Sequence, residues 1–436
     1  MNPDAYKETA VGQIPSEWEM MPFGDYSVAS IDRGVSWGKA DESKSGVPVL
    51  AIPNVRNGVM DNYAKVFLGK SIPQGKLLKK GDILLVGSSG AVKNVGRSAM
   101  VLVNPSRDTT FASFLARIRS GVRADPRYLS FVLRSELVDF EKLSKRAADG
   151  KFNLQLESLR SAIIPMPLLP EQKKIAAILS KIQQAFGVQE RIIERTKELK
   201  RALLAKLFTD GLRGEELKET EIGLMPRSWG VVTIGSLAVD GIMNGAFVKN
   251  PQWGNGIRFL NVVDTYKSEQ VNVDLLMRLE LSDGFRKNYA LKNKDVLFVR
   301  SSLKQEGIGQ PCFVDGLVEP VIYDCHLMKL SPKLEMVDPL YLVLYCLSEH
   351  GKKRLIANSN KTTMTTINQK GLSDFTLPLA PLAEQKEIVH IAERLNAKLL
   401  VHQYKLTKWQ GLFNSMLHQL MTGQIRTNHT EIPFDA

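Results

Sequence analysis

The stretch Lys7-Glu8-Thr9-Ala10-Val11-Gly12-Gln13-Ile14-Pro15-Ser16-Glu17-Trp18 returns later in the chain as Lys218-Glu219-Thr220-Glu221-Ile222-Gly223-Leu224-Met225-Pro226-Arg227-Ser228-Trp229. From Lys7 to Lys218 the offset is 211 residues. Downstream, Gly81-Asp82-Ile83-Leu84-Leu85-Val86 and Ser88-Ser89 match Lys294-Asp295-Val296-Leu297-Phe298-Val299 and Ser301-Ser302, with an offset of 213 from Asp82 to Asp295. The same offset aligns Val95-Gly96 with Ile308-Gly309, and Asp125-Pro126-Arg127-Tyr128-Leu129 with Asp338-Pro339-Leu340-Tyr341-Leu342. It also aligns Pro165 to Gln172 (PMPLLPEQ) with Pro378 to Gln385 (PLAPLAEQ), and Leu207-Phe208-Thr209 with Leu420-Met421-Thr422. Coincidence of common tripeptides does not hold one register over so long a span. The chain is a tandem duplication whose unit is half its length.

Each half divides into two parts. The first mixes short apolar runs (residues 47–52, 83–86, 99–103 and 114–118) with turn signals such as Asn57-Gly58, Lys80-Gly81 and Asn104-Pro105, and the runs read as strands. Residues 128–143 and 341–355 read as amphipathic helices, each beginning after an Asp-Pro start signal. The second part opens at Leu168-Leu169-Pro170-Glu171-Gln172, a proline at a helix start with acidic and amide residues in the first turn. From there to Phe208 the one helix breaker is Gly187. Ile175, Ile178, Ile182, Ala185, Ile192, Leu199 and Leu203 recur mostly at three-four spacing. The second copy supplies Ile388, Ile391, Leu395, Leu399, Leu406, Trp409, Phe413, Met416 and Leu420. So narrow a seam is the pattern of two long helices zipped together, each of about 38 residues and roughly 57 Å. Two independent surface helices packed on their own domains are the alternative. The expected fold is α+β (mixed α/β): two tandem-duplicated globular domains, residues 1–167 and 211–380, separated by two long antiparallel helices, residues 168–210 and 381–424. The helices are expected to form a coiled coil with pseudo-twofold symmetry, followed by a tail at 425–436.

Composition sets the outer limits. Of 436 residues, 44% are hydrophobic and 24% charged, which excludes a disordered chain, a collagen-like fibre and a disulfide scaffold. No apolar run approaches the roughly 20 residues of a membrane span, and the amino terminus shows no signal-peptide core. Cys312, Cys325 and Cys346, an odd number without CxxC spacing, fit reduced thiols in a cytoplasmic protein better than bridges or a zinc site. The net charge of +12 points toward a polyanion, most simply nucleic acid.

A search for catalytic groups returns little. There is no GxxxxGK[ST] loop for ATP phosphates, and Gly87-Ser88-Ser89-Gly90 follows a strand without Rossmann spacing. Asn104-Pro105-Ser106-Arg107 lacks the aromatic residue of an amino-methyltransferase site and reads as a turn. The six histidines show no paired-ligand spacing, so no metal site is expected. Ser88-Ser89 and Ser301-Ser302 end strands with no histidine near them in sequence. Polar loops are more informative. Lys93, Asn94 and Arg97 follow the first GDILLV strand, and Arg300, Ser301, Lys304 and Gln305 follow the second. Before each proline-rich helix start lies another: Lys145, Arg146, Lys151 and Asn153 in the first half, and Asn360, Lys361 and Thr362 in the second. Lys and Arg neutralise phosphates, and Arg, Asn and Gln pair with base edges in the major groove. A shared frame carrying divergent polar loops suits two modules that read two different short sequences. Ordinary solvated loops are the alternative.

The layout resembles the specificity subunit of type I DNA restriction-modification systems over nearly the whole chain. The resemblance is carried by the Gly-x-x-Pro-x-x-Trp segments at Gly12–Trp18 and Gly223–Trp229, the Val47-Pro48-Val49-Leu50 and Gly81-Asp82-Ile83-Leu84 strands, Glu171-Gln172 and Glu384-Gln385, and the helix end Lys206-Leu207-Phe208-Thr209. It implies two target recognition domains, each reading one half of a split site on double-stranded DNA, with the helices as the ruler between them. It further implies a subunit with no catalytic activity and no cofactor of its own. The partners it implies are two methyltransferase subunits, which carry S-adenosylmethionine, and restriction subunits, which use ATP and Mg. Readers held about 57 Å apart at most fit half-sites roughly one to two turns apart at about 34–36 Å per turn. A fused methyltransferase or nuclease with an unrecognised site, and a coiled-coil scaffold for RNA or a membrane surface, remain as alternatives.

Overall fold

A computed structural model describes residues 6–427 apart from 57, 250, 282, 362 and 363. The chain forms two compact units, one of residues 1–189 with 405–436 and the other of residues 190–404. Two long helices, Leu169–Asp210 and Leu382–Met421, are each shared between the units. The sequence cuts the chain where those helices begin and end; the compact units are cut in their middles. Each unit therefore holds one globular domain, the first half of the helix that follows it and the second half of the other helix.

In the first unit a four-stranded antiparallel sheet runs in the order Ser98–Met100, Ile83–Val86, Leu115–Ser120, Ala29–Arg33. The second unit repeats it as Pro311–Phe313, Val296–Val299, Leu327–Pro332, Ala238–Asn244. The strands Ile83–Val86 and Val296–Val299 are apolar throughout because both of their faces are covered. Ile83 and Leu85 face the core that includes the helices, whereas Leu84 and Val86 face a second core under the loops. Val296 with Phe298, and Leu297 with Val299, divide in the same way. The turn entering this strand places Gly81 at φ 90, and its counterpart Lys294 holds φ 73 without being glycine. Asp82 and Asp295 are buried behind these turns. Asp82 accepts from Lys79 N at 2.8 Å and from the Arg119 guanidinium at 2.6 and 2.7 Å, while Asp295 accepts from Lys292 N at 2.8 Å and Ser331 Oγ at 2.6 Å.

The repeated motifs close on one another inside each unit. Trp18 Nε1 donates to Glu171 at 2.9 Å, and Trp229 Nε1 to Glu384 at 3.1 Å. Gln172 accepts from Asp125 N at 2.9 Å, and Gln385 from Asp338 N at 2.8 Å. Tyr128 donates its hydroxyl to the Pro165 carbonyl and Tyr341 to that of Pro378, at 2.8 and 2.9 Å. Asp125 and Asp338 also cap the short helices Pro126–Val132 and Pro339–Leu347. Both helices stop before the lengths read from sequence. The first unit continues in turns after Val132. In the second, Ser348 starts a new helix, Glu349–Ala357, by accepting from Gly351 N at 3.1 Å.

Within the first unit the two helical segments run in opposite directions, with Ile175 and Leu179 packed among Phe413, Leu417, Leu420 and Met421. Phe413 meets Phe131 with ring centroids 6.1 Å apart, and Arg134 lies over both rings. In the second unit Leu204, Leu207 and Phe208 pack with Ile388, Val389 and Ala392, again antiparallel. The seam there turns polar where Lys200 bonds Asn396 at 2.7 Å and also meets Glu269. The sequence-derived seam needs correction at two points. Leu199 is 54% exposed, and Ile193 rather than Ile192 is the fully buried isoleucine of its pair. At 3.6 residues per turn the inward line passes through Ile193, Thr196, Lys200 and Leu204, so a polar stretch faces inward and Leu199 faces out. Ile178, Ile182, Leu203 and Ile391 flank the seam half-buried, as do Leu395, Leu399, Leu406 and Trp409.

Both helices end on glycine in the left-handed conformation, Gly211 at φ 66 and Gly423 at φ 70. A side chain at Gly211 would collide with Pro226, and one at Gly423 with Pro15. The Pro-x-x-Trp segments are the seats on which helix ends are set.

Candidate nucleic-acid interface

The polar loops expected from sequence to touch nucleic acid come together in each unit on a small three-stranded sheet. In the first unit its order is Ser88–Ser89, Phe152–Leu154, Ser144–Arg146, with Ser88 opposite Asn153 and Arg146 opposite Phe152. In the second it is Ser301–Ser302, Thr365–Thr366, Asn360–Lys361, with Ser301 opposite Thr366 and Asn360 also opposite Thr366. The loop after the buried strand and the hairpin before the long helix, some 60 residues apart in sequence, are neighbours because this sheet joins them.

In the first unit Lys93, Lys145, Arg146 and Lys151 are exposed. Arg146 lies 5.8 Å over the Phe152 ring, and Lys151 is 3.0 Å from Asp149, whose carboxyl is held below its usual range by the hydrogen bonds Lys151 supplies. Asn153 is half-buried, and Asn94 donates to Ser89 Oγ at 3.3 Å. Arg97 turns inward instead, donating to the Val55 carbonyl at 3.1 Å with its Nε buried and unbonded. It props the loop from beneath.

In the second unit Lys304, Gln305 and Asn360 are exposed, Lys361 lies in the outer strand, and Thr362 falls outside the described residues. Arg300 and Ser301 line a concavity of about 360 Å³ together with Cys325, His326, Met364, Thr366, Ile367 and Asn368. Sequence reasoning missed His326, which carries no local signal and lies 25 residues from Ser301. Pairing of Val299 with Leu327 brings it there, and its Nδ1 lies 2.5 Å from Ser301 Oγ. This serine thus has the neighbouring histidine that sequence spacing did not show. Among the described residues no carboxylate is bonded to that ring, and Asp324 Oδ1 accepts instead from the His326 backbone N–H at 2.7 Å. The arrangement presents polar edges for binding.

Comparison with known proteins places this geometry. The family model of the type I restriction modification DNA specificity domain matches residues 15–198 and again 226–408. The chain belongs to that family. It is 26% identical over 437 residues to the type I restriction enzyme StySPI specificity subunit of Salmonella potsdam, covering 95% of this chain and 90% of that protein. To the type I restriction enzyme MjaVIII specificity subunit of Methanocaldococcus jannaschii it is 24% identical over 433 residues, covering 97% and 96%. Among solved structures it superposes on the S subunit of a type I restriction-modification system from M. genitalium with a TM-score of 0.56 at 14% identity, covering 96% of this chain and 99% of that one. A chain from a type I R-M system studied for complex assembly and conformational transition gives a TM-score of 0.57 at 17% identity, covering 94% and 99%. These likenesses establish the duplicated fold. No described helix is long and apolar enough to cross a membrane.

Proposed function

We propose that the chain is the sequence-reading subunit of a type I restriction-modification assembly. Each unit reads one half of a bipartite duplex target through the loops on its three-stranded sheet. The observation that carries this is the pairing of one duplicated frame with two unlike polar loop sets at the same place in each copy. Exposed Lys93, Lys145, Arg146, Lys151 and Lys304 are suited to phosphates and set register and affinity; polar groups closer to the sheet face base edges. The long helices hold the readers at a fixed spacing and offer surfaces to two methyltransferase subunits. Methyl transfer from S-adenosylmethionine belongs to those partners, and ATP- and Mg-dependent cleavage to restriction subunits. This chain contributes binding and positioning without catalysis, in the cytoplasm of a prokaryotic cell.

The test is a mobility-shift titration of the chain, with its methyltransferase partner, against duplexes selected from a random pool. One bipartite motif should emerge, with affinity falling steeply as salt rises. Exchanging residues 22–165 for those of another such subunit should change one half-site and leave the other. Equal affinity for all sequences at every salt concentration refutes sequence reading, and methyl transfer by the isolated chain refutes the non-catalytic role.

A further inference from the structure

We propose that Arg300 reads a guanine in the half-site of the second unit, and that the concavity it shares with His326 receives the major-groove edge of that base pair. The inference rests on the sequence-reading role proposed above and adds the base.

Arg300 stands at the end of the buried strand Val296–Val299, and its backbone is fixed on both sides. Its N–H donates to the His326 carbonyl at 2.7 Å, and its own carbonyl accepts from Ile367 N at 2.9 Å. A reading residue on such an element is aimed by the sheet rather than by a loop. Arg300 lines the concavity, and among the described residues its guanidinium makes no hydrogen bond or ion pair. Other half-buried arginines of this unit have spent theirs: Arg258 on Glu319 and Asp274, Arg354 on Tyr345 and Thr376. Five donors that the fold leaves unused in a half-closed site are available to an acceptor from outside. Guanine offers O6 and N7 at the spacing of the guanidinium fork. His326, held by Ser301, forms one wall.

The first unit shows that this arginine is a feature of one copy. The strand-end position there is Gly87, whose N–H donates to the Phe114 carbonyl at 2.8 Å as that of Arg300 does to His326. The guanidinium comes instead from Arg33 on the edge strand two places across the sheet, 3.7 Å from where a Cβ on Gly87 would lie, and it is tethered to the Leu154 carbonyl at 3.2 Å. Strand register puts Asn244 of the second unit at the place of Arg33, since Arg33 pairs with Ala116 and Asn244 with Met328. Between the copies the arginine differs in place: tethered on the edge strand in the first unit, untethered at the end of the strand two places across the sheet in the second.

The experiment uses the full chain bound to its methyltransferase partner. Selection from random duplexes defines the motif, and dissociation constants are measured for every single-base variant. One G·C pair in one half-site should discriminate about 5- to 150-fold in the wild type. Arg300→Ala should bring that position within about two-fold of indifference, leaving discrimination elsewhere intact; Arg300→Lys should keep the salt dependence but lose most of the discrimination. Replacing that guanine by 7-deazaguanine should weaken wild-type binding and leave Arg300→Ala unaffected. Uniform loss across all variants would make Arg300 a phosphate contact, and relaxation at an A·T pair or no relaxation would equally overturn the guanine assignment. Absence of any selective binding by the wild type would refute the sequence-reading role itself.

Discussion

Gln172→Ala tests whether the repeated Glu-Gln pair is a structural clasp rather than a recognition element. The side chain is fully buried and makes three bonds, accepting from Asp125 N at 2.9 Å and donating to the carbonyls of Arg123 at 2.9 Å and Pro167 at 2.8 Å. Truncation strands one backbone donor and two acceptors beneath the helix start. Three bonds at about 1 kcal/mol each set a loss of about 3 kcal/mol, and the desolvation of the orphaned groups raises it toward about 5 kcal/mol. Gln385→Ala should cost the same, because its bonds to Asp338 N, Met336 O and Ala380 O are 2.8, 2.9 and 2.8 Å. The assay is urea unfolding combined with peptide-resolved hydrogen exchange. Gln172→Ala should lower protection in residues 123–132 and 169–180, and Gln385→Ala in 336–345 and 382–393. Exposed Lys173→Ala is the control and should stay within about 0.5 kcal/mol of wild type. A cost for Gln172→Ala below about 1 kcal/mol, or equal to the control, refutes the clasp.

Lys294 pays the left-handed strain that glycine avoids at position 81, so Lys294→Gly should stabilise by up to about 1 kcal/mol and Gly81→Ala destabilise by about 1–2 kcal/mol in urea titrations. Of the three thiols, Cys325 should react with a disulfide reagent in the native protein, while Cys312 and Cys346 react only on unfolding. Both are fully buried, and burial pushes the Cys346 thiol up to about 12. Lys352 is pulled down to about 8 from 10.5 by burial, and it donates to the Ile308 carbonyl at 3.1 Å. The unfolded chain therefore holds this proton between pH 8 and 10.5 while the folded one releases it. The stability of wild type relative to Lys352→Met should rise with pH across that window and be flat below it; a fall across the window refutes the assignment.

Much of this architecture is legible in the sequence because its signals are local or repeated. The offset of 213 residues from Asp82 to Asp295 needs no structure, and four consecutive apolar residues at 83–86 announce a strand covered on both faces. Proline, glutamate and glutamine before a long breaker-free run mark the helix starts. Periodicity was less informative where apolar residues thin out: between Ile193 and Leu203 the seam continues through Thr196 and Lys200, which no apolar template selects. The loops could be placed at equivalent positions in the two halves, yet their side chains could not be sorted. Arg97 and Arg300 look alike in sequence, but one is bonded inward to Val55 and the other is left unbonded beside His326.

What the sequence determined by itself is the duplication, the long helices and the polar loops. Each of these is written in neighbouring residues or in a constant offset. Tertiary structure alone decided that the compact units divide the helices in their middles, that Trp18 and Trp229 meet Glu171 and Glu384, and that His326 stands against Ser301. The physical reason is that strand pairing and buried hydrogen bonds join residues 25 to 155 positions apart, and no local periodicity records which distant partner will satisfy a buried donor.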